Sequence, residues 1–428
     1  MGVCSSPGFL QTWHDCDADQ PCIMSACGSS VPYLENEGAL KPTGASPAVL
    51  VLGGSTFMGR ETVQALLQLP ARVCVVNRGR SYWGTKDPSG GRVARLTADR
   101  REKTRFAERL DSVTSKLEEF EDTWALVADF SAYDGADMRA ALEGLRGRFQ
   151  TYAYISSDSV YEVSALAAAG WNSPKVDENL SRRPSDLEVR KKLQKADSYG
   201  HGKLEAEEAL AFGLGDSEAG VALRLPDVIG PFDDTLRLWA YWHWLRAGPE
   251  HPVQVRKVHS KRPRLEMPQE KLEKLENPPL AFVFSRDVAR FLAMLVGRPL
   301  KNRFDAVNLG SDLQVPLQDF LELLAAASGV AAATSEVDRP RGFLPSVERP
   351  IPLDFRNLRE TYGFQAAELA EVLRISAEWF AVACQEFPEE AAEAARKLPP
   401  PARAAALAAS QLTDKTDSSS SSSASESD

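Results

Sequence analysis

Metal-binding side chains are scarce in this chain. Its 428 residues include five histidines and six cysteines. Cys4, Cys16, Cys22 and Cys27 crowd the first 27 residues without a Cys-x-x-Cys pair, and His14 is the only histidine near them. That spacing excludes the usual zinc patterns, and no metal is expected. Cys74 and Cys384 each sit in an apolar run and read as buried thiols in a reducing compartment. No apolar run reaches the ~18 residues of a membrane-spanning helix. Basic charge is also short. Lys and Arg total 50 against 60 Asp and Glu, a net charge of −10. This opposes a dedicated nucleic-acid binder, because phosphate contacts need a basic face. No Lys or Arg precedes Lys41, and Asp15, Asp17 and Asp19 add acid. Secretory signals need a basic start and an apolar core, and transit peptides are basic and acid-poor, so the segment fits neither. The expected location is cytoplasmic.

The two ends carry their own signals. The chain begins M-G-V-C-S-S. Gly2 with Ser6 matches a myristoylation pattern, and Cys4 stands where a palmitoyl chain would add a second anchor. One myristoyl chain binds membranes marginally, so both would be needed to tether the protein to a membrane surface. Otherwise residues 1–46 show neither helical nor strand periodicity and read as disordered. At the other end, Leu398 to Pro401 reads as a proline break, and Ser418 to Ser423 is a run of six serines. Residues 386–428 are expected to form an Ala- and Ser-rich disordered tail.

Between the ends, short β-type runs alternate with helical segments of 10–15 residues, which argues a parallel, doubly wound α/β sheet. The first run, Val49 to Leu52, opens onto Gly53-Gly54-Ser55-Thr56-Phe57-Met58-Gly59 and then an amphipathic segment, Glu61 to Leu69. Strand, glycine turn and helix in that order suit a dinucleotide pyrophosphate: glycines admit it to the backbone, and the helix N-terminus offers free N–H groups. A glycine pair after a buried strand is also a common tight turn, so the residues downstream of it carry the weight. The second run, Arg72 to Val76, ends in Asn77-Arg78-Gly79. A basic residue at this strand end suits the 2′-phosphate of NADP, where an acid suits NAD. A third run, Arg92 to Leu96, ends near Asp99, a candidate acceptor for an adenine amino group. A charged helix is expected over Arg101 to Glu121. The fourth run, Trp124 to Phe130, exits at Ser131; Phe130 and Ser131 would face the cofactor. A helix is expected over Ala136 to Phe149, and a fifth run, Thr151 to Ile155, leads into Ser156-Ser157-Asp158-Ser159. Residues 162–196 read as an irregular excursion over the carboxyl edge of the sheet.

Then comes D-S-Y-G-H-G-K, at the head of a helix. Tyr199 and Lys203 are four apart and share a helix face. A free phenol has a pKa near 10, and a neighbouring ammonium with an oxidised nicotinamide favours the phenolate. Tyr199 is thus the candidate general acid/base, Ser157 a partner on the same substrate oxygen, and Lys203 both a tuner of Tyr199 and a ligand of the nicotinamide ribose. Gly200 and Gly202 cost roughly 1 kcal/mol each in a helix. They mark either close approach of a ligand or a frayed helix start.

These motifs, in this order, resemble the extended short-chain dehydrogenase/reductase superfamily, in its NAD-dependent epimerase/dehydratase family. The resemblance runs from about Ala48 to Cys384. G-G-S-T-F-M-G, with Thr56 in place of the middle glycine, and N-R-G at Asn77 to Gly79 are similar to the chloroplast stem-loop-binding-protein branch. I-S-S-D-S-V-Y resembles the family's serine segment and places the catalytic serine at Ser157. R-L-P-D-V-I-G-P from Arg224 resembles the exit into the substrate domain. Asp287 and Asn308 match two later landmarks and are taken as structural. The resemblance implies a Rossmann domain over 47–225, a smaller α/β substrate domain over 226–385, a small-molecule substrate of carbohydrate or nucleotide-sugar type, and a homodimer.

Two departures stand out. The interval from Ser157 to Tyr199 is long, and R-K-V-H-S-K-R-P-R from Arg256 to Arg264, followed by a charged helix at Gln269 to Glu276, replaces a glycine-rich stretch. This basic insert, 253–278, is a solvated loop or a surface for a nucleotide diphosphate, RNA or a membrane. The aromatics Trp239, Tyr241, Trp242 and Trp244 read as core before pocket. The leading expectation is an NAD(P)-dependent epimerase, dehydratase or reductase. The alternatives are an RNA-binding or endoribonuclease-like protein and a non-catalytic NADP-binding regulator.

Overall fold

A computed structural model describes residues 34–80, 83, 89, 91–170, 175–256, 279–347 and 352–407. The signals at Gly2 and Cys4, the basic run beyond Arg256, the helix expected at Gln269 to Glu276 and the serine run lie outside these residues.

The centre is an eight-stranded sheet. Its strands are β1 (Leu34–Glu35), β2 (Ala48–Leu52), β3 (Arg72–Asn77), β4 (Ala94–Thr97), β5 (Trp124–Asp129), β6 (Phe149–Ser157), β7 (Ala219–Leu225) and β11 (Phe304–Asn308), in the order β1-β4-β3-β2-β5-β6-β7-β11. All neighbours pair in parallel except β1, which runs against β4. Every residue of β2 is buried, as a central strand covered on both faces requires. Its side chains alternate between two cores. Val49 and Val51 join Val63 of helix α1 (Phe57–Leu66) and Val288 and Leu292 of the helix Ser285–Leu295. Leu50 and Leu52 join Phe106 and Leu110 of α2 (Lys103–Glu118), Met138 and Leu145 of α3 (Gly135–Leu145), and Leu210 further along the chain. From β2 the chain winds to β3 on one side and later to β5 on the other. The carboxyl ends of β2 and β5 therefore flank the switch point, where doubly wound sheets bind ligands.

The described residues of the segment 162–196, expected to be irregular, carry regular structure. It contains a one-turn helix α4 (Ala165–Ala168) and helix α5 (Leu187–Ala196), which starts where the Asp186 carboxylate accepts from the N–H groups of Glu188 and Val189. Helix α6 (Ser198–Gly213) follows at once. Helix α3 ends at Leu145, earlier than expected, because Arg146 turns left-handed (φ 49°). That frees Phe149 to start β6.

The C-terminal half holds two small parallel pairs, β8 (Asp227–Ile229) with β10 (Phe282–Phe284) and β9 (Val253–Arg256) with β12 (Thr334–Val337), around helix α7 (Arg237–Arg246). Trp239, Tyr241, Trp242 and Trp244 are buried in its core. Trp83, from the β3–β4 connection, is buried in the same core, its ring centre 5.5 Å from that of Trp379 and 5.4 Å from that of Phe387. It ties the two halves together.

The described parts of both ends, residues 34–46 and 386–407, are ordered where disorder was expected. Leu40 is fully buried, and the Arg72 guanidinium donates to Leu40 O (2.7 Å) and Ser46 O (2.9 Å), pinning residues 40–46 to the sheet. Pro388–Arg396 and residues 400–407 are helical. Ala391, Ala394, Ala395, Leu398, Ala402 and Ala406 form one buried stripe at helical spacing. The prolines read as a break open the second helix, since a first turn has no need of their missing N–H groups.

Candidate functional site

The glycine turn sits at the switch point. Gly53 and Gly54 have φ of 118° and 78°, conformations only glycine adopts without strain. A Cβ on Gly59 would lie 2.6 Å from Gly54 N, so its absence lets α1 start against the turn. Packing alone thus accounts for these glycines. Thr56 is different. It is the N-cap residue of α1, in extended conformation, and its Oγ1 is buried without a hydrogen-bond partner. A partnerless buried hydroxyl at a helix N-terminus is costly by itself and fits an anionic oxygen of a bound phosphate. Ser55 and Met58 flank it, and Phe57 takes φ 44°.

Towards the ribose end, Asn77 closes β3 and its Oδ1 accepts from Gly79 N (2.8 Å). Arg78 is exposed beside Asp99 and helps hold that carboxylate low. Asp99 is already engaged by Arg101, whose Nη2 donates at 2.5 Å; chiefly through these bonds its pKa falls to about 2. A cavity of about 150 Å³ opens there, lined by Asp99, Phe106 and Arg109 among others. A larger one, about 450 Å³, lies at the opposite, amino edge of the sheet near Thr151 and Arg303, away from all these residues.

Phe130 lies 3.0 Å from where a Gly53 Cβ would be, so it lines the turn. Ser131 faces inward instead. Its Oγ accepts from Arg100 (2.7 Å) and its N–H donates to Asp129 (2.8 Å). Asp129 is buried, and burial opposes its charge, but the Arg100 guanidinium (2.7 and 2.8 Å) and the Tyr152 hydroxyl (2.6 Å) hold its carboxyl below the usual range.

The structure brings Ser157, Tyr199 and Lys203 together at the carboxyl end of β6. Ser157 ends that strand, and its Oγ accepts from Ser159 N (3.2 Å). Asp197 caps α6 by accepting from Gly200 N (2.8 Å), which sets Tyr199 in the first turn with its hydroxyl near Ser157. Burial of the hydroxyl, then Tyr133, Asp158 and Asp197, push the phenol up to about 12, while Ser157 opposes them. Lys203 does not offset this. Its Nζ lies 5.7 Å from the Tyr199 ring centre and donates to Ala132 O (2.9 Å) and Ile155 O (2.8 Å). The surrounding protein groups by themselves thus favour the protonated phenol; the phenolate expected beside an oxidised nicotinamide depends on that ring's charge. Burial also pushes the Lys203 ammonium down to about 8.

The two helix glycines now have a cause. A Cβ on Gly200 would lie 2.4 Å from Ser159 O, and one on Gly202 would lie 2.5 Å from Tyr133 O. The protein's own backbone, not a ligand, presses against them.

Below the site, Glu207 of α6 pairs with Arg224 of β7 (2.6 Å) and accepts from Ser156 (2.6 Å). Arg224 reaches Tyr161 (3.2 Å), which donates to Asn308 (2.6 Å). Asn308 is structural, as is Asp287, whose carboxylate accepts from Ala367 N (2.7 Å).

Asp158 is the acid that reading the motifs passed over. Its Oδ1 is 3.2 Å from Ser157 Oγ. Burial, then Asp227 and Glu162, push its carboxyl well above the ordinary carboxylate range. Its position beside Ser157 in the sequence was a usable signal. The charge of Asp227, which comes from a different strand, was not. Among the described residues no group of three or more metal-ligating side chains occurs, and no helix is long and apolar enough to cross a membrane.

Comparison with solved structures gives the same architecture. A UDP-glucose 4-epimerase from Thermotoga maritima, solved with UDP-glucose, matches with a TM-score of 0.55 and 16% identity over 78% of this chain and 99% of its own. The UDP-glucose 4-epimerase of Thermus thermophilus, solved with NAD, matches with a TM-score of 0.53 and 20% identity over 78% and 99%. A UDP-Glc/GlcNAc 4-epimerase from Campylobacter jejuni matches at 0.55 and 14% over 79% and 100%. The chain has the Rossmann fold of these epimerases. No protein-family model matches the sequence, and no curated protein does either. The stem-loop-binding resemblance gains no support from these matches.

Proposed function

We propose that this protein is a nicotinamide-dinucleotide-dependent enzyme of the epimerase/dehydratase type, acting on a nucleotide sugar or related carbohydrate. The observation that carries the reading is the convergence of Ser157, Tyr199 and Lys203 on the sheet edge that also holds the glycine turn. The partnerless Thr56 hydroxyl and the epimerase fold of the structures solved with NAD and UDP-glucose add to it. The dinucleotide would be held by Gly53 to Gly59, Asn77, Arg78 and Lys203, and it supplies the hydride acceptor. Arg78, exposed at the end of β3, favours NADP over NAD by its charge.

The chain's own groups handle the proton. Tyr199, protonated in this state, and Ser157 present hydrogen bonds to one substrate oxygen. Lys203 brings positive charge to the same corner. Asp158 adds a second, largely neutral acid one residue from Ser157, so the site can serve two oxygens instead of one.

The test is turnover with UDP-glucose and UDP-glucuronic acid in the presence of NAD⁺ or NADP⁺, with ligands retained on purification identified by mass spectrometry. Tyr199→Phe is expected to abolish turnover and leave NADPH binding intact. Full activity in that variant would overturn the assignment. Dinucleotide binding without turnover on any sugar nucleotide would point to the regulator reading.

A further inference from the structure

No motif draws attention to Tyr133, yet it lies against both Tyr199 and Lys203. It follows β5, and its ring is 61% exposed. The ring centre is 6.3 Å from that of Tyr199 and 5.2 Å from Lys203 Nζ. Tyr154 at 5.0 Å and Tyr199 at 5.7 Å complete a three-ring enclosure of the ammonium. Inside it, Lys203 is 4% exposed and two of its donors already serve main-chain carbonyls. An ammonium that is to hold a ribose hydroxyl has to meet it directly, and here rings and carbonyls surround it.

The three rings are not equally fixed. Tyr154 is fully buried and its hydroxyl donates to Ala132 O (3.1 Å). Tyr199 is held in the first turn of α6 and is 46% exposed. Tyr133, at 61%, is the most exposed of the three. Its placement is nevertheless specified by a second feature. Gly202 leaves open the space in which the Tyr133 carbonyl lies, 2.5 Å from where a Cβ would stand. A helix that gives up a side chain in its own interior to receive this loop fixes the backbone of Tyr133 while its ring stays at the surface.

Resting on the nicotinamide reading above, we infer that Tyr133 is a further positioning residue of the site, a ring that caps the Lys203 ammonium and has to yield before a dinucleotide ribose can reach it. It acts through Lys203 and takes no part in bond making. Its removal uncovers Lys203 and speeds dinucleotide association; replacement by another ring does neither.

Two measurements on the full-length protein test this. In the first, wild type, Tyr133→Ala and Tyr133→Phe are treated with formaldehyde and a borohydride, and methylation is read at each lysine by mass spectrometry. Lys203 should react about tenfold faster in Tyr133→Ala, as loss of a cation–ring contact allows, and at the wild-type rate in Tyr133→Phe. Exposed Lys191 calibrates the reagent, and an unchanged urea-unfolding midpoint shows that the fold is intact. An unchanged Lys203 rate in Tyr133→Ala overturns the inference. In the second, stopped-flow fluorescence follows NADH and NADPH binding, with about tenfold faster association expected for Tyr133→Ala. Equal rates in wild type and Tyr133→Ala remove the cap and leave the nicotinamide reading standing. Failure of all three proteins to bind either dinucleotide removes that reading and this inference with it.

Discussion

Lys203 is the charged group of the site most easily neutralised, and its titration is the sharpest quantity the structure offers. The side chain is 4% exposed, and burial depresses its ammonium from the usual 10.5 to about 8. Asp129, Glu207 and Asp137 resist the fall, while Arg100 adds to it. Below about pH 8 both folded and unfolded chains carry the proton, and the folded chain bears the cost of burying it. Between about 8 and 10.5 the folded chain has lost the proton and the unfolded chain has kept it, so stability rises with pH. The depression corresponds to roughly 3 kcal/mol over that window. Lys203→Met has no such group. The unfolding free energy of wild type relative to Lys203→Met should therefore climb by roughly 3 kcal/mol from about pH 7.5 to about 10.5. Urea unfolding of both proteins, followed by tryptophan fluorescence at matched pH, measures it, and other titrating lysines and tyrosines cancel in the difference. Dinucleotide affinity in wild type should fall over the same rise in pH, as positive charge leaves the corner. A stability difference that stays flat across the window, or Lys203 titrating near 10.5 by NMR, refutes the reasoning.

Three further outcomes are expected. Thr56→Val keeps the shape of Thr56 and removes its partnerless hydroxyl. The ligand-free protein should hold or gain up to about 1 kcal/mol in urea unfolding while NADPH binding weakens about tenfold, and unchanged binding would detach Thr56 from the phosphate site. Glu207→Leu strands the Arg224 guanidinium in the core and should lower unfolding free energy by about 3–5 kcal/mol, with a loss below about 1 kcal/mol showing that Tyr161, Ser181 and the Glu178 carbonyl suffice as its partners. Truncation after Phe387 removes the alanine stripe from α7 and should cost on the order of 5 kcal/mol from lost apolar burial; an unchanged denaturation midpoint would restore the picture of a dispensable tail.

Much of the fold was legible in the sequence because its elements are locally encoded. Buried parallel strands need unbroken apolar runs on both faces, and Ala48 to Leu52 and Trp124 to Ala128 carry them. Gly53 and Gly54 announce a turn because only glycine takes those φ values. Where reading failed, the information was not local. The stripe from Ala391 to Ala406 looks like low-complexity sequence until α7 is there to cover. Leu34 to Ser46 has no periodicity of its own and is held by Arg72, donated by another strand.

The same division runs through the site. Spacing by itself determined that Tyr199 and Lys203 share one helix face, and the serine-ended run marked Ser157 as a candidate; the fold brings Ser157 to them. Their protonation states were decided by the tertiary structure alone. Charge in a protein interior depends on what surrounds a group in space: main-chain carbonyls at 2.8 and 2.9 Å engage Lys203, and burial with Tyr133 and Asp158 raises the Tyr199 phenol. Asp158 has Ser157 as its sequence neighbour, but the carboxylate that helps keep it neutral, Asp227, arrives from a strand 69 residues further along the chain. No pattern in the sequence encodes that meeting, because it exists only once the two segments are folded together.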